Sequence, residues 1–88
     1  MTIEDIKEWV AAFNEEALLA DGFEDAIIGV CEGFGESPVV AYDRDKCIAV
    51  LMGDKNDMDY EEAVEYFEFN VIGSGMGGNS PTFITMLP

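Results

Sequence analysis

From Asp59 to Val71 the chain reads DYEEAVEYFEFNV, with Tyr60, Ala63, Val64, Phe67 and Val71 at i, i+3, i+4, i+7 and i+11. This spacing returns an apolar side chain to one face at each turn of an α-helix and does not suit the alternation of a strand. Asp59 stands where an N-cap belongs and Glu62 follows at N3, so each carboxylate can accept a hydrogen bond from the other's backbone N–H. The segment predicts an amphipathic helix that must be covered on one side. A chain of 88 residues has material for one such core. At this length about 60–65% of the unfolded surface is buried on folding, so each large side chain counts.

The remaining elements are arranged around that helix. Thr2-Ile3-Glu4-Asp5 forms a second capping-box pattern, and Ile3, Ile6, Val10 and Phe13 predict a helix over 3–13. Asn14 is read as the N-cap of a short second helix that stops at Gly22 and buries Leu18 and Leu19. Phe23, Ala26, Ile27, Val30 and Phe34 also recur at helical spacing, but Gly29, Gly33 and Gly35 each cost a helix about 1 kcal/mol. A strand over 26–33 is preferred there. Gly35-Glu36-Ser37-Pro38 reads as a turn into a second strand carrying Val39, Val40 and Tyr42. Asp43 or Asp45 caps a further helix with Cys47, Ile48, Leu51 and Met52 inward, ended by Gly53 and followed by a polar connection over 54–58. The glycine-rich stretch 73–78 breaks the last helix, and 82–87 supplies a final strand beside the hairpin. The expected fold is a single α+β domain spanning 1–88, a small antiparallel sheet (hairpin plus C-terminal strand) packed against helices.

Charge narrows the functional classes. Nineteen Asp and Glu against four Lys and Arg, with no His, give a formal charge of -15. Direct nucleic-acid binding is disfavoured, because it relies on Lys and Arg displacing counterions from phosphates. An anionic membrane surface repels the chain for the same reason, and no apolar run approaches the ~20 residues of a spanning helix. Residues 1–20 carry Lys7 as their one cation beside several acids, unlike the basic start of an export signal, so a cytoplasmic protein is expected. In that setting Cys31 and Cys47 are read as reduced thiols packed like small apolar groups.

Motifs for chemistry fail on their physical requirements. Gly73-Ser74-Gly75-Met76-Gly77-Gly78 matches G-x-G-x-x-G, but a helix precedes it and too few residues follow for the helix whose N-terminus would receive a pyrophosphate. Asp54, Asn56, Asp57, Asp59 and Glu61 are rich in oxygen, yet an EF-hand register starting at Asp54 puts Met58 at a ligand position and Asp59 where glycine is required. Without His no Ser-His-Asp or Cys-His arrangement can form, and so small a core hardly frames a sugar cleft for paired carboxylates. The reading is a non-enzymatic chain without cofactor or metal.

The positive signal is a row of acids on the last helix. Glu61, Glu65 and Glu68 form a stripe with Glu62 beside it, although like charges at i, i+4 weaken a helix by a few tenths of a kcal/mol. Four charges over eight residues give one per ~3 Å of rise, close to the ~3.4 Å per phosphate along one DNA strand. Tyr66 and Phe69, like Trp9 on the first helix, lie off the buried stripe; they either widen the buried face or stand as aromatic anchors inside an acidic rim. Solubility is served by a net charge of about 2–8, well below the value here.

The segments LLADGFEDAIIGV, PVVAYDRDKCIAVLM and YEEAVEYFEFNVIG, with SPTF near the C-terminus, resemble a recurrent family of small uncharacterised proteins of bacteriophage and prokaryotic genomes. The resemblance spans about residues 17–84 and implies a hairpin, helix, helix, strand order. That family carries no assigned catalytic residues, and a phage setting implies a host-directed accessory protein. The leading expectation is an acidic module binding a basic surface of a nucleic-acid-processing protein, in the manner of a nucleic-acid mimic, through Glu61, Glu62, Glu65, Glu68, Tyr66 and Phe69. The alternatives are a homo-oligomeric or virion-associated protein using its exposed aromatics, and a small ligand-binding domain or enzyme.

Overall fold

The computed structural model describes residues 1–73 and 77–88. In chain order the elements are α1 (Ile3–Ala11), a single 3₁₀ turn (Glu24–Ala26), β1 (Ile27–Cys31), β2 (Val39–Asp43), α2 (Arg44–Leu51), α3 (Tyr60–Tyr66), a π-helical segment (Phe67–Ile72) and β3 (Thr82–Ile84). This is an α+β arrangement whose sheet is mostly antiparallel.

The capping signals are realised as hydrogen bonds. Thr2 Oγ1 accepts from the Asp5 N–H at 3.2 Å and the Asp5 carboxylate from the Thr2 N–H at 3.0 Å, which holds the Asp5 carboxyl below its ordinary 3.8. Asp59 and Glu62 form the same reciprocal pair at 2.9 and 3.3 Å, and Asp43 caps α2 through the Lys46 N–H.

The sheet has the order β1-β2-β3. β1 and β2 form an antiparallel hairpin that pairs Val30 with Val40 and Cys31 with Val39, with a register shift between Ile27 and Gly29. β3 lies beside the hairpin as expected but runs parallel to β2, pairing Ala41, Tyr42 and Asp43 with Thr82, Phe83 and Ile84. Parallel pairing requires a crossover, and α2 and α3 supply it. β2 is therefore central, with Val40, Ala41 and Tyr42 all buried. β3 ends at Ile84 instead of continuing to 87, and Met86 and Leu87 are exposed.

Phe67 anchors the core. Fully buried, it meets Phe83 edge-on at 5.0 Å and Phe23 at 6.4 Å, while the Arg44 guanidinium lies 5.6 Å from its ring centre on another side. Tyr42 stacks obliquely on Phe83 at 5.4 Å and accepts a 2.7 Å hydrogen bond from the Ala20 N–H at its hydroxyl. Burial pushes the Tyr42 phenol pKa up, with that hydrogen bond acting in the opposite direction.

The structure corrects further expectations. No second helix forms over 14–22: Asn14 makes the capping bond and one turn, its carbonyl accepting from the Ala17 N–H, and tertiary hydrogen bonds then draw the chain away. The Asn14 amide donates to the Pro38 carbonyl (2.8 Å) and to Asn79 Oδ1 (2.9 Å) while its own oxygen accepts from the Glu16 N–H, and Leu18 N–H is drawn to the Asn79 carbonyl. Leu18 is consequently exposed, and Leu19 packs at the core margin. α1 stops at Ala11, so Phe13 turns onto Trp9 edge-to-face at 5.0 Å instead of joining the core. Met52 lies past the end of α2 and is exposed, as is Tyr60 at the first position of α3.

The last helix continues through Ile72 by changing its winding. Gly73 N–H donates to the Glu68 carbonyl at 3.0 Å, an i to i+5 bond. A Cβ at Gly73 would lie 2.6 Å from the Phe69 carbonyl oxygen, so glycine is what permits this close. The expected break over 73–78 begins there, and residues 74–76 lie outside the described residues.

Asn14→Ala removes two hydrogen bonds that tie the segment after α1 to the hairpin and to the approach to β3, and a third, local one from the Glu16 N–H, an effect read by urea titration. It is expected to lower unfolding free energy by about 2–3 kcal/mol. Asn56→Ala, which loses one long, exposed bond to the Val50 carbonyl, should cost under ~0.5 kcal/mol in the same urea titration.

Candidate functional site

The helical rod of α3 and its π-helical continuation presents the acids singled out from the sequence. Glu61, Glu62, Glu65 and Glu68 are all exposed, and no charged side chain anywhere among the described residues is buried. Their chemistry differs. Glu62 accepts the Asp59 N–H in the capping box and is turned toward the start of the helix. Glu68 lies 3.6 Å from the Arg44 guanidinium, so a cation does interrupt the stripe that the sequence presented as unbroken. Nothing in the periodicity marks this pair, because Arg44 belongs to the start of α2 and reaches Glu68 through the packing of Arg44 against Phe67. Glu61 and Glu65 have no ion-pair partner among the described residues and stand one turn apart, about 6 Å of rise. The continuous ~3 Å charge spacing is therefore not what this face offers.

Tyr66 and Phe69 stand outside the core, Phe69 at 78% and Tyr66 at 42% exposure. Neither ring widens the buried face; both are exposed. Trp9 is also exposed, paired with Phe13 on α1.

Beside this rod lies an open cleft of about 680 Å³ that sequence reasoning missed. Its walls are residues 18–23, the end of α2, the stretch 80–83, and Tyr66, Asn70 and Val71. The π-helical winding puts those last three on one wall, because i to i+5 bonding brings positions four and five apart onto a common side. Among the described residues Asp21 is the one carboxylate lining the cleft and no Lys or Arg lines it. The non-helical course of residues 14–22, with turns at 15–16 and 21–22, brings 18–22 to the opposite wall, and no local signal in the sequence announces it.

Other sequence candidates are placed as follows. The oxygen-rich residues 54–61 serve turns and caps, and among the described residues no group of three or more His, Cys, Asp or Glu side chains converges as a metal site. A helix precedes the glycine-rich stretch and β3 follows it, the reverse of the strand-then-helix order that a dinucleotide fingerprint requires. Cys31 is exposed and Cys47 buried, both unbridged. Burial, with Asp43 nearby, pushes the Cys47 thiol up to about 11, so it stays protonated and unreactive at neutral pH.

No family model, no curated protein and no solved structure matches this chain. Among the described residues no helix is long and apolar enough to cross a membrane.

Native protein at about pH 8 is expected to expose one thiol to a small alkylating reagent, Cys31, and to release the second only on unfolding. Mass spectrometry of partially labelled protein checks this: label on Cys47 under native conditions would contradict the packing described.

Proposed function

We propose that this chain is a non-enzymatic acidic interaction module, a phage-type accessory protein that binds a cationic surface of a nucleic-acid-processing protein in the host cytoplasm. The observation that carries the reading is the face of α3 and its continuation, where Glu61 and Glu65 have no ion-pair partner among the described residues and the rings of Tyr66 and Phe69 are exposed. Aromatic anchors supply buried area on association while surrounding charges set partner choice and encounter rate. The chain-wide balance points the same way. Of 19 acids, the ion pairs among the described residues engage Glu4, at 4.0 Å from Lys7, and Glu68. The remaining negative field repels nucleic acid and attracts cationic protein.

The roughly one-turn spacing of Glu61 and Glu65 supports a general acidic docking face more than a close imitation of phosphate geometry. A second reading, self-association, is favoured by a separate observation, the exposed Trp9–Phe13 pair on α1. It predicts a salt-resistant dimer or larger assembly by sedimentation.

The principal test is affinity capture from bacterial lysate at low salt, with Glu61→Lys/Glu65→Lys as the control. Neither residue accepts a capping hydrogen bond or closes an ion pair among the described residues; Glu61 lies in the first turn of α3, so Lys there costs about 0.3–1 kcal/mol through the helix dipole, and a circular dichroism spectrum of the double variant accompanies the capture. The captured partner should be basic, should elute between low and moderate salt, and should bind the double variant at least tenfold more weakly. A partner retained equally by both proteins removes α3 from the contact.

A further inference from the structure

The cleft beside the π-helical turn is not absorbed by the charge-based reading. Its floor is apolar, formed by Leu51, Phe23 and Phe83, and Leu18 stands half out of its rim at 52% exposure. The Ser80 hydroxyl oxygen is buried in the stretch that lines it and has no hydrogen-bond partner among the described residues. π-Helical segments interrupt α-helices frequently at functional sites, since they give up regular winding to redirect side chains. Here Asn70 and Val71, both within the π-helical segment, line the wall on the side of the last helix, and Tyr66 belongs to both surfaces.

Charge selects the occupant. Asp21 lines the cleft without a compensating cation, and both Asp21 and Glu24 lie near enough to act on the Tyr42 phenol, whose hydroxyl meets Ala20 in the cleft wall. A nucleotide or other anion is repelled from such a site, and a second copy of this chain would bring a further charge of -15 against it. At about 680 Å³ the cleft has the volume of a ligand site, but it is open along one side, which suits a segment laid into it more than a molecule enclosed by it.

We infer that the cleft between residues 18–23 and the π-helical turn receives a large apolar side chain from a cationic peptide segment, while basic residues of that same segment meet the α3 carboxylates. This rests on the proposed function above and adds to it a site for the partner's anchor. Tyr66 is the hinge between the two halves of the contact, and the backbone N–H or C=O of the inserted segment has the exposed Asn70 amide within the lining as its polar counterpart.

The test uses the full chain and two synthetic, dye-labelled lysine-rich peptides that differ only in one central residue, Phe or Ala. By fluorescence anisotropy at low salt the Phe peptide is expected to bind about tenfold more tightly, the increment for burying one aromatic side chain. In the unmodified protein it should shift backbone amide resonances of residues 18–23 and 80–83, which the Ala peptide leaves in place. Asn70→Trp, a substitution at an exposed position that fills the cleft, should bring the ratio of the two affinities close to one. Equal binding of the two peptides, or an aromatic preference with no shifts in these segments, overturns the cleft assignment while leaving the charge-based reading intact. Saturation by N-acetylphenylalaninamide alone at the concentration that saturates with the Phe peptide also overturns it, since the site is then a small-molecule pocket. Loss of all peptide binding, or binding indifferent to Glu61→Lys/Glu65→Lys, defeats the underlying reading itself.

Discussion

The fold depends on how one ring, Phe67, is surrounded. It contacts Phe23 from the loop before the hairpin, Phe83 from the last strand and Arg44 from the start of α2, so three other parts of the chain converge on a single side chain. Edge-to-face contacts of this kind add about 0.5–1.5 kcal/mol each beyond the area they bury. In a domain with so small an interior, that convergence fixes where α3 lies against the sheet. It also fixes where Arg44 can go, and with it Glu68. The position of the acidic face on the surface is thus a consequence of an aromatic contact in the interior.

The same constraint explains how the chain carries its charge. Every carboxylate stays outside the core, and those nearest the ends of helices are used: Asp5, Asp43, Asp59 and Glu62 accept backbone N–H groups that a helix start leaves without partners. An acid at a helix N-terminus is stabilised by the local dipole as well as by the hydrogen bond. Part of the excess negative charge is therefore structural: Glu61 shares the dipole at the start of α3 without accepting a backbone N–H, and Glu65, a turn further on, has no such role.

What was legible in the sequence was the local chemistry. Capping boxes at Thr2–Asp5 and Asp59–Glu62, the glycines that disfavoured a helix across 26–34, and the strand pair around Pro38 depend on residues a few positions apart, and the structure has them as read. What was not legible depended on distant partners. Asn14 has the composition of a helix cap, and only the presence of Pro38 and Asn79 beside it turns it into a junction. The π-helical winding after Tyr66 leaves the apolar spacing nearly unchanged, so Val71 still faces inward, yet it creates a cleft wall that α-helical geometry would not predict. The pairing of Arg44 with Glu68 was hidden for the same reason, since it is a by-product of packing on Phe67.

The parallel seating of β3 on β2 has a consequence for how the chain reaches this state. The hairpin needs only a short turn to close, whereas β3 docks across the whole crossover of α2, α3 and the π-helical segment, a closure costlier by on the order of 1–2 kcal/mol on length alone. Loop closure thereby favours local pairing before the docking of the outer strand. Phe83 arrives with that strand, so until it does the central ring of the interior is open on one side, and the cleft has no far wall.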